Sequence, residues 1–204
     1  MKRIGITGGI ASGKSAVAGM LRKLGFHVID ADRLGHDVIE PGTRAYDEIV
    51  REFGAGVVGA DRRIDRGKLG AIVFADAGKL GRLNKIVHPR VEEDMVRQFA
   101  EWEKSGVKDA AFVEAALLVE AGYQNNLDGL VVAWCKPEQQ LERLIARGLS
   151  EVEARRRIAS QMPAEEKLKF ATVKIDCSGT LEETRRQVEE LAKSLRETNN
   201  EVKM

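Results

Sequence analysis

The chain has 204 residues, 33 Lys+Arg against 32 Asp+Glu for a net charge of +1, with 43% hydrophobic and 32% charged residues. That balance suits one sizeable α/β domain with small inserts. It gives no electrostatic reason to expect nucleic-acid or membrane binding, so any anion site must be local. Cys135 and Cys177 lie far apart without a CxxC partner, which argues against a disulfide framework or a zinc site and for two buried thiols in a reducing cytoplasm.

The basic start, Met1-Lys2-Arg3, precedes an apolar stretch too short and too glycine-broken for a signal peptide. No apolar run approaches the roughly 20 residues that would span a bilayer, so the expected location is cytoplasmic. Residues Lys2–Thr7 read as a strand, followed by a Gly-rich turn and a helix over about 14–24 with Val17, Met20, Leu21 and Leu24 on one face. Gly25 stops that helix, and Phe26–Ile29 is a second strand ending at Asp30-Ala31-Asp32. Residues 33–106 contain no convincing buried strand and predict helices near 33–40, 43–53, 66–75 and 79–104, the last with a break or kink near His88 because Pro89 follows. Strands resume at 110–114 and 130–134, and Pro137 opens a helix to about Arg147. The segment 148–162 is rich in Arg, Glu and Gln and predicts an exposed, mobile stretch. A last strand at 173–176, an amphipathic helix over 180–197 and a frayed tail over 198–204 complete the chain.

The residues Gly8-Gly9-Ile10-Ala11-Ser12-Gly13-Lys14-Ser15 fit G-x-x-x-x-G-K-[ST], between an apolar strand and an amphipathic helix. Gly8 and Gly13 let the backbone close around a phosphate. Successive N–H groups, continued through Ala16, then form an anion nest at a helix N-terminus. Lys14 would place a cation on the β- and γ-phosphates of ATP, and Ser15 would offer its hydroxyl to Mg²⁺. The dinucleotide pattern GxGxxG is absent, as are the LSGGQ of transport ATPases and the NKxD of GTPases, which Asn84-Lys85-Ile86-Val87 fails at its last position. The shortness, the helical insert and the Arg-bearing segment fit a small-molecule kinase, with a water-excluding lid. Asp32, at the end of the second strand, is a candidate general base for an alcohol acceptor or else a helix N-cap.

Several motifs in order carry a more specific resemblance. They are Thr7 to Ser15, Val28-Ile29-Asp30-Ala31-Asp32, Ile64-Asp65-Arg66 with Leu69 and Val73-Phe74, and Ile86-Val87-His88-Pro89. They continue through Glu114-Ala115-Ala116-Leu117-Leu118-Val119-Glu120, Gln140 to Arg147, and Arg157-Ile158-Ala159-Ser160-Gln161-Met162. Over roughly residues 3–190 the chain resembles the dephospho-CoA kinases. The resemblance implies a single P-loop kinase domain, three-layered α/β/α, with a five-stranded parallel sheet. Its core would be 1–32, 107–137 and 164–197, with an acceptor-binding helical insert at 33–106 and a lid at 138–163.

It also implies ATP-dependent phosphorylation of the ribose 3′-hydroxyl of dephospho-CoA, the final step of coenzyme A synthesis, with Mg²⁺, by a monomer or small homo-oligomer. Asp32 would be the base. His88, Pro89, Glu114, Leu117 and Leu118 would line the acceptor side, and Arg143 and Arg147 would close over ATP. On the residues alone, Arg143 and Arg147 could equally be a solvated helix face, Leu117 and Leu118 core, and His88 structural. The rival readings are another small-molecule kinase, such as one for nucleoside monophosphates, and a regulatory protein that binds ATP without transferring it.

The chain departs from the family pattern in places. Glu114 and Ala116 stand where Asp and Pro are usual, and Val119 where Phe is. Ala11 and Ala16 stand where Gly and Thr are common. Thr172 and Cys177 stand where Asp and Asn are usual, which touches nucleotide-base selectivity.

Overall fold

The computed structural model describes residues 1–201, with side chains through 197. By internal packing the chain divides into two compact units, residues 1–30 with 101–204, and residues 31–100.

The first unit is built on five parallel strands: β1 (Lys2–Thr7), β2 (His27–Asp30), β3 (Ala110–Glu114), β4 (Gly129–Trp134) and β5 (Val173–Asp176). Their order in the sheet is β2-β3-β1-β4-β5, the five-stranded parallel architecture expected from the sequence. The three central strands read as near-continuous apolar runs, because a parallel sheet is covered on both faces. All five residues of β3 are buried. Helix α1 (Lys14–Lys23) lays Val17, Ala18 and Leu21 on one face of the sheet. The final helix, α9 (Leu181–Glu201), adds Val188, Leu191, Ala192 and Leu195 to the same cluster, with Ile4, Ile6 and Phe112 beneath them. Each Val, Leu, Ile or Phe among them contributes roughly 1.5–3 kcal/mol on full burial. On the sheet face that Gly5 occupies, a Cβ would meet Leu118, Leu127 and Leu130. Helix α9 runs past the expected end at 197, and residues 202–204 of the expected tail lie outside the described residues.

Between β4 and β5 lie α6 (Pro137–Ala146), α7 (Glu151–Ala159) and α8 (Ala164–Leu168). The stretch 148–162 carries α7, which is largely exposed as expected, with only Ala154 of the helix buried. It is held by Ser150, which caps the Glu153 N–H, and by Glu151–Arg155 and Glu153–Arg157 pairs four residues apart.

The second unit holds α2 (Ala31–Asp37), α3 (Arg44–Phe53), α4 (Arg66–Val73) and most of α5 (Ala77–Lys104). Thr43 and Asp65 cap α3 and α4 by accepting from backbone N–H groups. Ile49, Val57, Ile64, Leu69 and Val73 form its core. Of the break or kink expected near His88, a break is not there: α5 is continuous through Pro89. Proline removes one N–H, the rung to the Lys85 carbonyl, and the turns on either side carry the helix across it.

Candidate active site

The sheet order places β3 and β4 on opposite sides of β1, so the chain switches direction at the carboxyl end of β1. That is where an open α/β sheet forms its ligand crevice, and residues 8–15 occupy it. Gly13 has φ 108°, a left-handed conformation that favours glycine, and a Cβ there would also run into Cys177. A Cβ on Gly8 would overlap the Ala133 carbonyl oxygen, and one on Gly9 the Gln140 side-chain nitrogen. The loop therefore has no room for side chains at these points. Ala11 also sits at positive φ, 58°.

The loop is fixed from outside by donors on α6. Gln140 Nε2 donates to the Ile10 carbonyl at 3.0 Å, and Arg143 Nη1 donates to the Ala11 carbonyl at 3.1 Å. The second Arg143 nitrogen donates to the Cys177 carbonyl at 2.7 Å, tying the loop to the turn after β5. Within the loop the Ser12 N–H donates to the Gly9 carbonyl at 3.1 Å. The Ile10 N–H itself donates to Gln161 Oε1 at 2.7 Å. Arg143 was expected to close over ATP. In the structure its guanidinium donates to two backbone carbonyls, and the Cys135 thiol also approaches that of Ala11 at 3.9 Å.

Glu114, at the end of β3, is only 3% exposed. Its Oε1 accepts from the Ser15 hydroxyl at 2.7 Å and lies 3.1 Å from the Lys14 ammonium, and Arg22 approaches its other oxygen at 3.6 Å. A buried carboxylate is tolerable only with such partners. Glu114 thus sets its carboxylate against the phosphate-loop residues Lys14 and Ser15. In register across the sheet it stands beside Asp30. The neighbouring Ser15 and Glu114 oxygens are hard donors of the kind Mg²⁺ takes from protein, with phosphate and water completing its shell.

Beyond the loop, a cleft of about 300 Å³ is lined by Ala11, Gly13, Ala16, Arg147, Cys177 and Gly179 among others. Arg147 is exposed, one residue past α6. Both cysteines are buried as expected, and burial pushes the Cys177 thiol up to about 11. Thr172 plays no part here. Its hydroxyl accepts from the Leu130 N–H at 3.0 Å, near the amino ends of β4 and β5 and away from the loop.

Leu117 is half exposed in the turn after β3, whereas Leu118 is buried over Gly5 and serves packing. In the second unit, Asp32 lies in the first turn of α2, and His88 and Pro89 lie within α5. Gln140 and Gln161 stand in the motifs read from sequence but were given no role there. The available signal was the three-residue spacing of Gln140 and Arg143, which puts both on one face of α6.

A parallel five-stranded sheet with an anion loop, an invading lysine and a serine–carboxylate pair defines a P-loop phosphotransferase. Comparison with known proteins narrows this. Residues 2–183 match the dephospho-CoA kinase family. A dephospho-CoA kinase of Carboxydothermus hydrogenoformans is 46% identical over 91% of this chain and 90% of its own. That of Aquifex aeolicus is 44% identical over 96% and 98%. Among solved structures, protein TT1252 of Thermus thermophilus superposes with a TM-score of 0.83 at 35% identity over 95% of this chain and 97% of its own. The dephospho-CoA kinase of Campylobacter jejuni does so at 0.73 and 28%, over 97% and 98%. The chain belongs to the dephospho-CoA kinase family. No helix among the described residues is long and apolar enough to cross a membrane.

Proposed function

We propose that this chain transfers the terminal phosphoryl group of ATP to the ribose 3′-hydroxyl of dephospho-CoA, giving coenzyme A and ADP. The observation that carries this reading is the buried Glu114 carboxylate bonded to Lys14 and Ser15 at the phosphate loop of a chain in this family. The loop amides and Lys14 hold the β- and γ-phosphates in line with the acceptor. Ser15 and Glu114 would hold Mg²⁺, directly or through water, and the ion would supply positive charge to the phosphates.

Asp32 takes the 3′-hydroxyl proton as the oxygen attacks phosphorus and the bond to the ADP oxygen breaks. Arg147, exposed at the rim of the cleft beside Cys177, supports the nucleotide, and Arg143 keeps the loop in shape. Leu117, His88 and Pro89 shape the acceptor side. The reaction belongs to a cytoplasmic monomer or small homo-oligomer. Asp32→Asn is expected to leave the ATP dissociation constant within about twofold and to lower turnover by roughly 10²–10⁴. Full turnover in that variant would remove Asp32 from the role.

A further inference from the structure

Lys167, on α8, has no exposed side-chain surface at all. A buried ammonium is costly to desolvate, and an apolar residue of similar size would fill the space as stably. Both of its partners lie in one place, the turn that follows β3. Its Nζ donates to the Ala116 carbonyl at 2.6 Å and pairs with Glu120 at 2.9 Å. The same carbonyl accepts from the Thr7 hydroxyl at 3.2 Å, immediately before the phosphate loop. The same Glu120 oxygen accepts the Met162 N–H at 3.0 Å, and the preceding residue is Gln161, which holds the Ile10 amide. The turn bonds to itself from Leu117 to Ala121 and from Leu118 to Tyr123, and it presents Leu117 at 49% exposure.

We propose that Lys167 is a positioning residue for the acceptor. Its ammonium clamps the 115–122 turn, through Ala116 and Glu120, in the register that presents Leu117 to dephospho-CoA. Glu120 extends that clamp to the segment touching the phosphate loop. The inference rests on the proposed function, and the test separates the two.

The experiment measures steady-state kinetics of wild type, Lys167→Met and Glu120→Gln, well below their melting temperatures, varying ATP and dephospho-CoA independently. In Lys167→Met the Ala116 carbonyl keeps Thr7, and Glu120, 24% exposed, stays hydrated, so the fold is expected to survive. KM for dephospho-CoA should rise about tenfold or more, as for a misplaced positioning group, while KM for ATP stays within twofold. Glu120→Gln retains an acceptor for Met162 and should shift the same constant in the same direction by less. An unchanged acceptor KM, or an equal rise for both substrates, would overturn the clamp while leaving the kinase reading intact. A wild-type enzyme without dephospho-CoA-dependent turnover would overturn both.

Discussion

Ala11 holds a left-handed backbone at φ 58° where glycine is the unstrained choice. Ala11→Gly is therefore expected to stabilise the protein by about 1 kcal/mol and to raise the melting temperature by a few degrees. A fall in melting temperature would show that the loop gains nothing from relief at this position. Glu114 acts differently. Replacing it with Gln leaves Lys14 and Arg22 without their buried counter-charge. Turnover should then fall on the order of 100-fold, with a higher Mg²⁺ requirement in a metal titration.

Cys177 makes a pH prediction. Burial disfavours its thiolate and outweighs the Thr184 hydrogen bond, raising the thiol from 9.0 to about 11. The folded state then binds more protons than the unfolded one between those values. The contribution to stability is complete below pH 9 and is lost as pH rises toward 11. Cys177→Ala should flatten the alkaline decline of the denaturation midpoint, and native-state alkylation of the wild-type thiol at pH 8 should be slow.

At the scale of elements, α6 shapes the phosphate loop through Gln140 and Arg143. Arg143→Met removes two donors from backbone carbonyls. It should weaken ATP binding about tenfold by isothermal titration and destabilise by roughly 1–3 kcal/mol per carbonyl left unsatisfied. Were Arg143 only a transition-state group, the same variant would lose turnover with ATP affinity intact. In α5, Pro89→Ala restores the rung to Lys85 and should raise helix stability by up to about 3 kcal/mol, read from a thermal melt. These elements differ in how far the sequence disclosed them. The strands were legible because β1, β3 and β4 are covered on both faces and carry apolar runs such as Ala110–Val113 and Leu130–Ala133. Helix α7 was legible only as a solvated face of Glu and Arg, since caps and ion pairs hold it rather than a buried stripe. The continuity of α5 escaped because the rule against internal proline acts on one hydrogen bond, and a 28-residue helix has many others.

At the scale of the molecule, the loop of residues 8–15 and the strand–loop–helix around it were legible together, because phosphate chemistry dictates both residue types and their spacing. Contacts between distant segments were not legible. Gln161 on Ile10, Arg143 on Cys177 and Lys167 on Ala116 span separations of 151, 34 and 51 residues, and no local periodicity reports them. Thr172, a departure from the family pattern, bonds at the amino ends of the strands, so of the two unusual residues only Cys177 lines the cleft beside the loop.

The most direct test of the account measures ADP release from Mg-ATP with dephospho-CoA and, separately, with a panel of nucleoside monophosphates, and identifies the product by mass and by the position of the added phosphate. The account predicts stimulation by dephospho-CoA alone, with one phosphate added at the ribose 3′-hydroxyl. Stimulation by a nucleoside monophosphate in its place, or ATP binding without transfer to any acceptor, would contradict it.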